Sequence, residues 1–169
     1  MRRCLLWRYR KMAATIPFRG LTGDTLLQPS FYARKDGTAQ SIPAATITKV
    51  TFNTEEFDEG GCYDNSTNYR FTPGVAGVYL ISASIAITNH PAGKFVQIRA
   101  YKNGSLLEDF SQLLINPSSG DQDTNAGTMT FLETFNTTDY MEIYCYQNSS
   151  DAENTRLKHE CRFMAFRVN

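Results

Sequence analysis

A chain of 169 residues with 17 basic and 17 acidic side chains, 41% hydrophobic and 12% aromatic, has the composition of one globular domain large enough to bury a core without staples. This excludes a disordered chain, and no run approaches the roughly 20 apolar residues of a membrane-spanning helix, so no membrane insertion is expected. The zero net charge hides an asymmetry, because Arg2, Arg3, Arg8, Arg10 and Lys11 crowd the start and leave 12 basic against 17 acidic residues in the body.

Residues 1–23 therefore read as a basic, non-globular arm ahead of a folded domain over 24–169. Such an arm can be a secretory n-region, a nucleic-acid or phosphate contact, or an extension before an alternative start at Met12. Its apolar stretch is too short for the core of a signal peptide. Leu5, Leu6 and Trp7, flanked by Arg2, Arg3, Arg8 and Arg10, suit docking into a groove on an acidic neighbour, with the aromatic and arginine residues as anchors.

After Thr22 nearly every segment has strand period and turn punctuation. "ITKVTFN" alternates, and "EEFDEGGCYDNSTN" reads as an acidic, Gly- and Asn-rich loop. "FTPGVAGVYLISASIAI" is a turn over Pro73–Gly77 feeding a strand, with Tyr79, Ile81, Ala83, Ile85 and Ile87 on one face and Ser82, Ser84 and Thr88 on the other. A break at "TNHPAGK" precedes "FVQIRAY" and the turn "KNGS", whose Asn-Gly pair is a strong hairpin signal. "LLEDFSQLLI" follows, ambiguous between strand and helix over a short stretch, and "NPSSGDQDTNAG" reads as a long polar loop. "TMTFLETF", "YMEIYCYQ" and "ECRFMAFRV" complete a series of strands of six to nine residues, split by "NTTD" and "NSSDAENT". Short strands at this spacing, without helix caps or helical periodicity, argue an all-β antiparallel sandwich or jelly roll.

Cys4, Cys62, Cys145 and Cys161 show no metal-binding or framework spacing. If the last two strands form a hairpin, Cys145 and Cys161 come close to opposite one another, as a cross-strand bridge or, the reading preferred here, as two buried thiols. The supply of catalytic groups is thin. Only His90 and His159 exist, no nucleophile elbow or phosphate loop is present, and a His159–Cys161 dyad lacks an orienting third group, so no enzyme and no cofactor are expected. Asp121, Asp123 and Asn125 have the alternating oxygens of a calcium loop, but Gly127 and Glu133 each fall one place late, so a solvated polar loop is preferred to a metal site. Asn65, Asn103, Asn136 and Asn148 stand in glycosylation sequons, which raise a secreted reading slightly. Body cations are scattered among acids, so no specific nucleic-acid partner is expected.

Phe52, Asp58, Tyr63, Phe71, Gly77 and Tyr79 resemble the spaced aromatic signature of the globular head of complement C1q and the related tumour-necrosis-factor-like jelly rolls. Ile81 and Ala83 depart from it, standing where that family has aromatics, and one extra residue separates Tyr63 from Phe71. The resemblance runs from about Pro29 to Asn169, taking in "VQIRAYKNG" and "CRFMAFRVN", and the wording around "YDNSTNYRFTPGVAGVYLISASI" is similar to forms found in viral virion proteins. It implies a C1q/TNF-like jelly roll that associates as a homotrimer. The last two strands carry apolar residues on both faces, which suits a core on one side and a neighbouring subunit on the other. Tyr144, Tyr146, Phe163, Met164 and Phe166 are the expected trimer-interface residues.

The function expected from these features is that of a non-enzymatic virion structural protein: a trimeric capsid decoration, fibre or adhesin, localised to the virion after assembly in the host cytoplasm. Its partners would be neighbouring capsid or tail proteins, held by the arm, and a host-surface glycan or receptor. The alternative is a secreted complement- or cytokine-like ligand.

Overall fold

The computed structural model describes residues 28–107, 112–115, 122–156 and 158–168. Within them lie fourteen strands and no helix: β1 (Ser30–Lys35), β2 (Ser41–Ile42), β3 (Thr48–Lys49), β4 (Thr54–Glu59), β5 (Tyr63–Asp64), β6 (Arg70–Phe71), β7 (Gly77–His90), β8 (Val96–Lys102), β9 (Ser105–Leu106), β10 (Gln112–Ile115), β11 (Gln122–Phe135), β12 (Met141–Gln147), β13 (Glu153–Asn154) and β14 (Lys158–Arg167). Every strand pairing is antiparallel.

Two main sheets face each other. One runs β11-β7-β14-β1-β4, and the other runs β10-β8-β12-β6-β5 with β3 beside β12 and β9 beside β8. The alternation in β7 works as its sequence implies: Tyr79, Ile81, Ala83, Ile85 and Ile87 are fully buried between the sheets. They meet Ile98, Ala100, Met141, Ile143 and Cys145 from the facing sheet in one continuous core.

The spaced aromatic residues form the heart of that core. Phe71 lies 5.3 Å from both Tyr79 and Phe135, ring centre to ring centre, while Phe31 stacks on Tyr63 at 4.5 Å and meets Phe163 edge-on at 4.9 Å. Edge-to-face and offset contacts of this kind add to plain area burial. The two tyrosines keep their hydroxyls satisfied at the margin, Tyr63 donating to the Phe52 carbonyl (3.1 Å) and Tyr79 to the Val75 carbonyl (2.8 Å).

Asp58 explains itself too. One carboxylate oxygen accepts from the Cys62 amide (2.8 Å) and the other from the Tyr63 amide (3.2 Å), clasping a turn through Gly60 and Gly61, both left-handed (φ 98° and 61°). In the Pro73–Gly77 turn the left-handed residue is Gly74 (φ 69°), and Gly77 opens β7 opposite Phe135. The Asn103–Gly104 turn has positive φ at both residues (52° and 78°), the twist-matched hairpin turn that its sequence demands.

Several expectations need correcting. The acidic segment is not all loop, because Thr54–Glu59 forms β4 at the edge of the five-stranded sheet, where β1 supplies hydrogen-bonding partners for a polar strand. The supposed polar loop after residue 120 is the start of β11, zipped to β7 from Gln122↔His90 to Phe135↔Gly77. β12 and β14 are not a hairpin: they belong to opposite sheets, so Cys145 and Cys161 approach across the core and not along a ladder. Both thiols, with Cys62, are free and buried.

Candidate interaction surfaces

The five expected interface residues divide among three environments. Phe163 is fully buried against Phe31, Phe52 and Tyr63, so it is a core residue and is removed from the interface set. The reason is strand parity, since β14 turns Cys161, Phe163 and Ala165 inward and Arg162, Met164 and Phe166 outward. Met164 and Phe166 lie on the outer face of the five-stranded sheet. Tyr144 and Tyr146 lie on the outer face of the other sheet, so the four cannot line a single face of one protomer.

On the five-stranded sheet the register assembles an apolar strip that the sequence does not announce. Leu132 of β11, Leu80 of β7 and Phe166 of β14 stand side by side across three strands. Alongside them run Met164, Tyr32 and Phe57, the last two in an edge contact at 6.4 Å. Leu132 is 59%, Phe57 47% and Phe166 45% exposed, unusual for neighbouring large apolar side chains on one sheet. A hydroxyl band adjoins the strip, with Ser82 and Thr130 hydrogen-bonded at 3.0 Å and Thr128 donating to Ser84 at 2.9 Å. Leu80, Leu132, Tyr32 and Phe57 escape a reading confined to the last two strands. The signal for two of them is present: Leu132 is the lone apolar residue among Thr128, Thr130 and Thr134 on the outward side of β11, and Leu80 precedes the serines of β7.

On the other sheet Tyr144 packs on Tyr101 at 4.5 Å and donates its hydroxyl to Glu142 (3.0 Å), whose other oxygen accepts from Lys49 (2.6 Å). Partial burial, then the hydrogen bond to the carboxylate, pushes the Tyr144 phenol up to about 12. Tyr146 packs on Phe95 and lies under Arg99.

The remaining expected sites give no constellation. Asp123 and Asn125 fall within β11, whose extended, paired backbone is not a cation-wrapping loop, and Asp121 lies outside the described residues. Among the described residues no three His, Cys, Asp or Glu side chains are grouped to hold a metal. Cys161 is buried with its thiol donating to the Ala86 carbonyl at 3.3 Å, and the side chain of its supposed partner His159 lies outside the described set. The arm residues Arg2, Arg3, Leu5, Leu6, Trp7, Arg8 and Arg10 also lie outside it. No described helix is long and apolar enough to cross a membrane.

The fold has counterparts among solved structures. The globular domain of zebrafish complement 1qA protein superposes with a TM-score of 0.61 at 19% identity, covering 84% of this chain and 98% of that one. The fold is the C1q/TNF-type jelly roll. Murine APRIL matches with a TM-score of 0.56 at 9% identity, covering 83% of this chain and 99% of that one. Eiger TNF from S. frugiperda matches at 0.57 and 6% identity, covering 84% and 93%. By sequence, the chain is 29% identical over 110 residues to the uncharacterized protein YqcC of Bacillus subtilis, a stretch that takes in 64% of this chain and 30% of that protein. The chain thus spans under a third of that relative's length. No family model matches the sequence.

Proposed function

We propose that this chain is a non-enzymatic, homotrimeric structural module of a virion, serving as a capsid decoration, fibre or adhesin. The observation that carries the trimeric part is the outward strip in which Leu132, Phe166 and Phe57 are exposed beside half-buried Leu80, Met164 and Tyr32. Adjacent apolar side chains at this exposure mark an assembly surface, and threefold association is what the C1q/TNF-type fold implies for such a face.

The sequence match to a bacterial protein, beside animal neighbours that share only the fold, weighs against a secreted complement- or cytokine-like ligand, and the virion part of the reading rests on the wording around "YDNSTNYRFTPGVAGVYLISASI". Two sequon asparagines are also engaged structurally. Asn103 donates to Asp139 (2.9 Å) and accepts from the Tyr140 amide (2.9 Å), and Asn148 accepts from the Phe95 amide (2.6 Å). Both side chains brace turns, and the Asn103 Nδ2 that a glycan would occupy is already donating. In this reading residues 1–23 anchor the domain to an acidic capsid or tail neighbour.

Light scattering of the purified chain tests the assembly, with a trimeric mass expected and a stable monomer at micromolar concentration refuting it. Deletion of residues 1–23 tests the anchor: the truncated chain should keep its Tm and its trimer yet fail to enter particles. Glycosylated Asn65 or Asn136 in native material would move the chain to the secreted alternative.

A further inference from the structure

The outer face of the seven-stranded sheet carries a regular device that trimer assembly does not use. Tyr140, just ahead of β12, and Tyr144 and Tyr146 on its outward side each have a cation over the ring: Arg70 at 4.5 Å from Tyr140, Lys49 at 5.9 Å from Tyr144 and Arg99 at 5.3 Å from Tyr146. Strand geometry sets alternate residues about 7 Å apart, so the Tyr144 and Tyr146 couples are neighbours and the Tyr140 couple stands about two such steps beyond Tyr144, giving a spaced line of half-buried rings and positive charges on the sheet.

The charges on this line are unequally answered. Lys49 is paired with Glu142. Arg99 donates from Nε (2.8 Å) and Nη2 (2.5 Å) to the Gln97 side-chain oxygen, and among the described residues neither Arg99 nor Arg70 has a carboxylate partner. A guanidinium held against an aromatic face is pre-oriented to take a carboxylate through two parallel hydrogen bonds.

We propose that this face binds a linear polysaccharide with spaced carboxylate groups, a uronic-acid polymer in chemical class. Charge complementarity chooses the occupant. Carboxylates meet Arg70 and Arg99, and sugar C–H groups pack against the half-buried tyrosines and the arginine stems between them. A single-stranded nucleic acid fits less well, because phosphate on every residue would meet a body with more acidic than basic residues. An acidic peptide adding itself as a strand is excluded at β12, which is already paired with β8 on one side and with β3 and β6 on the other. The proposal rests on the surface-attachment half of the function above and not on its trimeric half.

The test is calorimetric titration of the full chain with hexagalacturonate, beside neutral maltohexaose, oligo-dT and oligoglutamate, with light scattering on the same samples. Hexagalacturonate should bind, more weakly as salt rises, and maltohexaose should bind far less. Arg99→Gln and Arg70→Gln, at opposite ends of the line, should each lower affinity about tenfold, the size expected for one charged hydrogen-bonding group. Both should leave Tm unchanged, which separates loss of the site from loss of the fold. Absence of hexagalacturonate binding in a sample that is still trimeric overturns the ligand and leaves the assembly reading standing. Equal binding of maltohexaose, tighter binding of oligo-dT or oligoglutamate, or indifference to both arginine substitutions overturns it as well.

Discussion

Glu153 closes on His90 with both carboxylate oxygens, 2.9 and 2.7 Å from the imidazole Nδ1, at a point where the histidine is fully buried and the glutamate side chain only 4% exposed. The pair ties the end of β7 to the short β13, while the Nε2 atom is buried without a hydrogen-bond partner among the described residues. Removing one member strands the other. Glu153→Ala or His90→Ala should destabilise the fold by about 1–3 kcal/mol, the cost of an unsatisfied buried polar group, read as a shift of the urea midpoint with little change in slope.

Phe163 and Phe166 stand three residues apart on β14 and should fail in different ways. Phe163→Ala empties a site among Phe31, Phe52 and Tyr63 and should cost about 3–5 kcal/mol of stability. Phe166→Asp should leave the monomer folded but reduce the scattering mass from trimer to monomer. A Phe166→Asp protein that remains trimeric would remove the five-stranded face as the interface.

The buried thiols predict alkaline sensitivity. Burial, with the nearby Cys161 thiol second, holds the Cys145 thiol up to about 12 against an ordinary value of 9.0, and burial raises Cys161 to about 11. In the unfolded chain both ionise near 9, so their contribution is complete below that pH and is lost as pH climbs through 11 and 12. Tm should fall from about pH 9 upward by this route. Ellman's reagent at pH 8 should find Cys62, Cys145 and Cys161 unreactive until denaturant is added.

Chelation should leave Tm unchanged, since Asp123 and Asn125 sit in the β11–β7 ladder. A calcium-dependent rise in Tm that disappears in Asp123→Ala would show that a cation site exists.

Much of this fold is legible in local sequence. The two-residue period of β7, the Asn103–Gly104 turn and the spaced aromatics each encode their structure within a short stretch. What resists reading is pairing. Nothing local says that Met141–Gln147 and Lys158–Arg167 go to opposite sheets, and the two-sided apolar character they share grouped Tyr144 and Tyr146 with Met164 and Phe166. The apolar strip is hidden for the same reason, since Leu80, Leu132 and Phe166 are far apart in the chain and become neighbours only through register. The polar start of β11 shows the converse, a segment whose strand character comes from β7 and not from its own residues.

The central place of β14 also bears on when folding can finish. It lies between β7 and β1, pairing Phe166 with Leu80 on one side and with Ser30 on the other, so the sheet stays split until the last strand has been synthesised. During translation β1 and β7 must wait with their inner edges open, the most aggregation-prone state a sheet can present. Ribosome-bound chains stalled before residue 158 should therefore be protease-sensitive and chaperone-bound, and release of the whole chain should be followed by slow closure governed by this one long-range insertion.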